Sequence, residues 1–214
     1  NYDAGFYMKY GITSNLTLDL TVNTDFAQVE ADNTQLNLTR FSLFFPEKRE
    51  FFLERSGIFE HGNSRSTQTF FSRRIGLSES IIAGSRMTGQ VGRFNIGLIN
   101  IETGPDEGTI GEKLGRIFGK ESANNAVARV QTNFMKRGSA GVIFTNYDRD
   151  GQWNRALGVD VSQRFGSASS FNAWYTDVRQ TNSDLNDVAG HIGVNYRTDI
   201  YGASLSYTSV GENY

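Results

Sequence analysis

The chain contains no cysteine and only 2 prolines among its 214 residues. The first absence excludes disulfide frameworks, thiolate zinc sites and cysteine nucleophiles, without fixing a compartment. The second removes the residue that most often interrupts a β-ladder. Long apolar runs are missing too. The longest, counting Gly, is Ala140 to Phe144, far short of the roughly 20 residues a transmembrane helix needs. Neither sign of charge dominates: 21 Lys and Arg face 23 Asp and Glu, a net charge of −2, so no nucleic-acid partner is expected. Asn1 to Phe6 form neither a basic nor an apolar leader, so no signal peptide is expected there. Histidine is limited to His61 and His191, and no G-x-S-x-G occurs. Gly115 to Glu121 has the wrong spacing for a Walker A loop and ends in an acid where a hydroxyl should hold magnesium. No cofactor is expected.

What the chain has is 23 Gly, 13% aromatics and a strong period of two. From Asn15 to Phe26 the even positions are Leu16, Leu18, Leu20, Val22, Thr24 and Phe26, and the odd ones are polar. Such alternation puts one set of side chains on each face of a strand. It recurs at Leu157, Val159 and Val161, at Ile192, Val194 and Tyr196, and at Tyr201, Ala203, Leu205 and Tyr207. Twelve strands are predicted, over 4–10, 15–26, 34–44, 67–75, 80–88, 91–102, 125–134, 138–148, 155–164, 170–179, 188–198 and 201–210. No amphipathic helix is predicted. Residues 111–121 come closest, but three Gly argue against one. The length fits a single domain over residues 1–214.

The predicted connections alternate, short near 11–14, 89–90, 135–137, 165–169 and 198–200, longer near 103–124, 148–154 and 180–187. That alternation is typical of outer-membrane barrels. Aromatics gather at the strand ends, Tyr7, Tyr10, Phe134, Phe165, Tyr196 and Tyr201 toward the short turns, Phe26, Tyr147, Trp153 and Tyr175 toward the other rim. Two such girdles fit the membrane–water interfaces. A sandwich or water-soluble barrel would share the alternation, because it too needs one apolar face. The architecture expected is an all-β, antiparallel up-and-down transmembrane β-barrel, with Leu16, Leu18, Leu20, Leu157, Val159, Val161, Ile192, Val194, Leu205 and Tyr207 toward lipid.

One segment breaks the pattern. Between Phe41 and His61, six Phe surround the charged tetrad Glu47, Lys48, Arg49 and Glu50, and Pro46 interrupts any ladder. Residues 44–60 are therefore expected to fold into the lumen or cap it on the short-turn side, with Glu47, Arg49 and Glu50 paired to other charges. The run LTLDLTVNTDFAQVEADNTQLNLTRFSLFFPEKREFFLE (Leu16 to Glu54), followed by FFSRRIG (Phe70 to Gly76), resembles a family of outer-membrane β-barrel domains of unknown function, known chiefly from Bacteroidota. These often follow a family-9-like carbohydrate-binding module. The resemblance implies an outer-membrane location and residues forming an opening portion of a larger barrel. Strands 4–10 and 201–210 would then pair with further strands of the same polypeptide or with a partner barrel chain.

Chemistry is harder to find. Glycoside hydrolysis needs two carboxylates about 5–9.5 Å apart, and Asp25, Glu30, Asp32, Glu47, Glu50, Glu54 and Glu60 are candidates, though a solvated strand end and mutually paired charges explain them as well. No catalytic residue is assigned. Asp148 and Asp150 partly match a calcium loop, yet Asp150-Gly151 is equally a hairpin turn signal, and no metal is expected. The polar strand faces are expected to carry Arg86, Arg93, Arg129, Arg164, Arg197 and His191. These could line a lumen and bind anions or sugar acids, or pair structurally with Asp19 and Asp160. The expected function is an outer-membrane barrel for glycan-related binding, uptake or surface display, with membrane lipid and glycans as partners. The alternatives are a membrane-associated glycan hydrolase using carboxylates of the 25–60 region and a purely structural anchor.

Overall fold

A computed structural model describes residues 5–23, 46–62, 67–76, 79–105, 107–119 and 121–214. Among the described residues, ten strands form one antiparallel sheet in which every strand pairs with its neighbours in order. They are β1 (Phe6–Thr13), β2 (Leu16–Val22), β3 (Ser80–Val91), β4 (Phe94–Gly104), β5 (Ala123–Phe134), β6 (Gly138–Arg149), β7 (Gln152–Phe165), β8 (Ser169–Gln180), β9 (Asp187–Arg197) and β10 (Gly202–Val210). Among the described residues the sheet is open, with β1 and β10 as its edges. Of the twelve predicted strands, 34–44 falls outside the described residues, while 67–75 is not a strand. There Phe70 and Ile75 join the core and Ser72–Arg74 form a 3-10 turn. Packing of apolar side chains from both parities outweighs the weak alternation that suggested a strand.

The turns β1–β2, β3–β4, β5–β6, β7–β8 and β9–β10 share one rim, the short-turn rim. On the other rim the β6–β7 connection is shorter than expected. Asp150 and Gly151 alone make it, at φ 51° and 77°, the left-handed pair that a tight type I′ hairpin demands. The β4–β5 connection holds helix α2 (Ile110–Gly119), against the expectation of none. Its start is a capping box. The Thr109 backbone N–H donates to Glu112 Oε2 at 2.6 Å, and the Glu112 N–H donates back to Thr109 Oγ1 at 3.4 Å. The Lys113 ammonium donates to Asn23 Oδ1 at 2.9 Å and pins the helix to the end of β2. These contacts outweigh the glycine penalty, about 1 kcal/mol per residue relative to Ala.

The sheet has a covered face and a bare face. The described residues of the 46–76 segment, 46–62 and 67–76, lie across the first, starting with the single-turn helix α1 (Glu50–Leu53) and a 3-10 turn at Ser56–Phe59. Phe51, Phe52 and Phe59 are buried in one core with Ile81, Ile99, Ile101, Val127 and Ile143 of β3 to β6. Burying each such ring is worth about 1.5–3 kcal/mol. Two glycines make room: a Cβ on Gly97 would lie 2.7 Å from the Phe59 ring, and one on Gly158 would lie 2.5 Å from His61 Cε1.

On the bare face Leu157, Val159, Ile192, Val194, Leu205 and Tyr207 stand exposed, Leu205 by 78% and Tyr207 by 70%. No second sheet covers them among the described residues. Leu18 and Leu20 share this face through their pairing with Tyr10 and Met8, but both are partly buried. Leu16 departs from the expectation: at the β1–β2 turn it is only 8% exposed. Tyr7 departs as well, because it points to the covered face and donates to Asp19. No described helix is long and apolar enough to cross a membrane, which says nothing about strands.

Candidate functional site

The chemistry of the molecule is concentrated where the 46–76 segment meets the covered face. Glu47 and Arg49 begin it. Arg49 donates from Nε to Glu47 Oε1 at 2.8 Å and from Nη2 to Oε2 at 2.7 Å. Its remaining donors reach the carbonyls of Ile75 (2.6 Å) and Ser72 (2.7 Å), and the Ser72 hydroxyl donates to Glu47 at 2.7 Å. The guanidinium also lies 4.3 Å from the Phe52 ring centroid, a cation–π contact. Burial acts to raise the Glu47 pKa, but the hydrogen bonds from Arg49 and Ser72 together hold it below the ordinary carboxylate value. The FFPEKREFF and FFSRRIG stretches, far apart in sequence, are thus joined by one forked ion pair. Lys48 is half-buried beside it. Glu50, expected to be paired, is exposed and forms no ion pair among the described residues.

Farther along, the segment runs over β1 to β3. Lys9 pairs with Glu54 at 2.5 Å and holds its pKa down. Beneath them Arg86 and Asp19, both about 1% exposed, meet at 3.3 Å. Arg55 Nη1 donates to the Asn15 carbonyl at 3.2 Å, so the tip of the segment reaches the short-turn rim. Of residues 44–60, expected in a lumen or across its short-turn side, 46–60 lie on one face of the open sheet with their tip at the short-turn rim, and 44 and 45 are outside the described residues.

The return path builds a second polar seam on β5 to β10. Arg129 donates to Asp160 Oδ2 at 2.5 Å, and His61 Nε2 lies 3.9 Å from the same oxygen. His61 Nδ1 is 2.8 Å from Thr69 Oγ1, which in turn contacts Thr176 and the Tyr214 hydroxyl at 3.3 Å each. Trp174 packs edge-on to His61 and stacks on His191, whose Nδ1 lies 2.7 Å from Thr208 Oγ1. Burial lowers the His61 pKa below 6.5, partly opposed by Asp160 and reinforced by Arg129. Such a buried imidazole is neutral near pH 7 and has no room for a substrate, so the seam fixes the segment to the sheet.

The sequence-derived candidates therefore separate. Arg86, Arg129, Asp19, Asp160 and His191 all face the covered side and are engaged with one another, the 46–76 segment or neighbouring strands. Arg93 does not join them. It sits in the β3–β4 turn with its guanidinium 5.4 Å from the Phe94 ring. Arg164 and Arg197 lie at the short-turn rim, on a cavity also lined by Arg137. Asp148 lies near the end of β6 and Asp150 in the hairpin turn that follows, and no group of three metal-ligating side chains occurs among the described residues. Asp25, Glu30 and Asp32 lie outside them. Sequence reading missed Arg137, Trp174, Thr69, Thr176 and Ser72. Only Arg137 carried a local signal, a basic pair, Lys136-Arg137, before Gly138 in a short turn.

The fold and its covered face define a class: an open antiparallel meander that carries its own packed segment on one side. Residues 1–91 match a family described as a domain of unknown function, DUF5916. The matched stretch holds the Glu47–Arg49 pair and Ser72 and ends with the last residue of β3. No curated protein and no solved structure matches the chain.

Proposed function

We propose that this chain forms part of the wall of an outer-membrane β-barrel of the kind found in Bacteroidota, with residues 46–76 lying on the lumen side, and that the barrel serves glycan-related binding, uptake or surface display. One observation carries the membrane reading. The bare face presents exposed apolar side chains on β1 and on β3 to β10, including Met8, Val91, Leu98, Val142, Val159, Val194 and Leu205. Exposed apolar patches of this kind mark a contact with lipid or protein, and lipid needs no shape complement. The open edges at β1 and β10 agree with further strands, of the same polypeptide or a partner chain, because unpaired backbone groups in hydrocarbon cost several kcal/mol each. The glycan part rests on the resemblance stated above.

The hydrolase alternative has less to recommend it. Glu47 is tied to Arg49 and Ser72, and Glu54 to Lys9. The anchor alternative shares the membrane reading and differs only in having no ligand. The test is insertion of the purified chain into phospholipid vesicles, followed by fluorescence quenching with brominated lipids. Val159→Arg should weaken insertion by about 2–4 kcal/mol, as charge does at a bilayer midplane, while Ser162→Arg on the opposite face should be tolerated. Equal tolerance of both, or no insertion of the parent chain, would refute the membrane reading.

A further inference from the structure

Five guanidinium groups in this molecule hold a carboxylate. Arg49 holds Glu47, Arg86 holds Asp19, Arg129 holds Asp160, Arg149 holds Glu79 and Arg179 holds Asp177. At the short-turn rim the pattern changes. Arg137 of the β5–β6 turn, Arg164 near the end of β7 and Arg197 at the end of β9 line one open cavity of about 810 Å³. None of the three has an ion-pair partner among the described residues. Asp199, the one acid on the lining, forms no ion pair either.

The backbone places these side chains together. The Arg164 N–H donates to the Arg137 carbonyl at 3.1 Å, and the Arg197 N–H donates to the Ala168 carbonyl at 2.8 Å. Arg137 Nη1 is anchored on the Gly166 carbonyl at 2.9 Å. From Arg164 the register continues directly to Ser170 of β8, then Asn195 of β9, then Ser204 of β10. All three line the same cavity. The result is a cross-strand row on the covered face that starts at Arg164 and continues in hydroxyl and amide groups, with Arg197 two positions beyond Asn195 and Arg137 in the neighbouring turn on its short-turn side. Three guanidinium groups beside the single acid Asp199 leave the cavity with an excess of positive charge and favour a bound oxyanion, which guanidinium groups grip in two-pronged fashion. The serines and the amide offer donors and acceptors to hydroxyl groups beside that oxyanion.

We propose that this rim cavity is a binding site for an acidic sugar, its carboxylate or phosphate held by Arg137, Arg164 and Arg197 and its hydroxyl groups facing Ser170, Asn195 and Ser204. The sugar half of this inference rests on the glycan reading above. The oxyanion half stands on the row itself and does not depend on whether the sheet lies in lipid.

The test is titration of the purified full chain with glucuronate, glucose 6-phosphate, inorganic phosphate and glucose, followed by calorimetry. The two acidic sugars should bind saturably and more tightly than inorganic phosphate, and glucose should not bind. Arg164→Gln combined with Arg197→Gln should weaken the acidic sugars at least tenfold, about 1.4 kcal/mol. Arg164→Lys, which keeps the charge but not the fork, should give an intermediate loss. Lys136→Gln, an exposed charge beside the cavity but not on it, should change nothing beyond about twofold. Circular dichroism of each variant checks the fold. Absence of saturable binding by the parent chain, or binding that survives the double substitution in a folded protein, would overturn the proposal. Equal binding of inorganic phosphate and both sugars would remove its sugar half. Lipid insertion is a separate readout: a chain that inserts but binds no acidic sugar refutes this site alone, and one that binds without inserting refutes the barrel alone.

Discussion

Arg49 and Glu47 form a nearly dry, two-pronged ion pair in which each side chain is 10% exposed or less. The remaining guanidinium donors are used on the Ser72 and Ile75 carbonyls, so two residues close in sequence clamp a stretch some 25 positions away. Removing one partner would strand a buried charge, a loss of about 3–5 kcal/mol. Arg49→Met and Glu47→Gln should each lower stability by an amount of that order in chemical denaturation. Arg49→Lys should recover only part of the loss, because a single ammonium cannot satisfy four acceptors at once. Replacing both partners together should cost less than the sum of the single changes. Additive losses would show that the two residues act separately.

Stability should depend on pH in two stages. Burial holds the His61 pKa below its ordinary 6.5. In the window between 6.5 and the lower folded value, the unfolded chain takes up a proton that the folded one refuses, so stability falls as the solution is acidified. The loss is complete once the folded imidazole is also protonated. Glu47 is likewise held below its ordinary 4.5. Its contribution is present above 4.5 and is lost as pH falls through the folded value. Denaturation midpoints measured across this range should show both stages. His61→Gln should remove the first and leave the second; persistence of the first stage would assign it to another group.

The glycines on the covered face make a third prediction. Gly97→Ala would push a methyl to 2.7 Å from Phe59, and Gly158→Ala to 2.5 Å from His61 Cε1. Overpacking of this kind costs typically about 1–3 kcal/mol, and here it should loosen residues 46–76 and expose them to limited proteolysis. In contrast, a Cβ on Gly115 of α2 meets nothing within 4 Å, so Gly115→Ala should stabilise by about 0.5–1 kcal/mol. Unchanged cleavage of Gly97→Ala, measured beside Gly115→Ala, would mean that the segment is not seated as described.

Strands and their faces were legible because alternation is a local property. The parity that puts Leu157, Val159 and Val161 on one side needs no knowledge of their neighbours, and the same holds for Ile192, Val194, Leu205 and Tyr207. The Asp150-Gly151 turn was legible because its two positive φ angles suit those residue types. The capping box of α2 was also present, as Thr109 and Glu112 three positions apart, but three glycines weighed against it and the anchor on Asn23 was invisible.

Pairing was decided only by the tertiary structure. Arg86 finds Asp19 across 67 positions and Arg129 finds Asp160 across 31, distances over which composition carries no information about contact. The sequence could assemble a row of arginines, but only the register divides it into buried ion pairs and a rim cluster joined by Arg137. Residues 67–75 show the same limit. Their weak alternation suits a strand, yet Phe70 and Ile75 gain more by joining Phe51, Phe52 and Phe59 than by adding a ladder. The sequence by itself determined which side chains share a strand face, because backbone pleating sets that within a few residues. Which charges are cancelled, and which remain for a ligand, was fixed by strand register and by the segment packed across it.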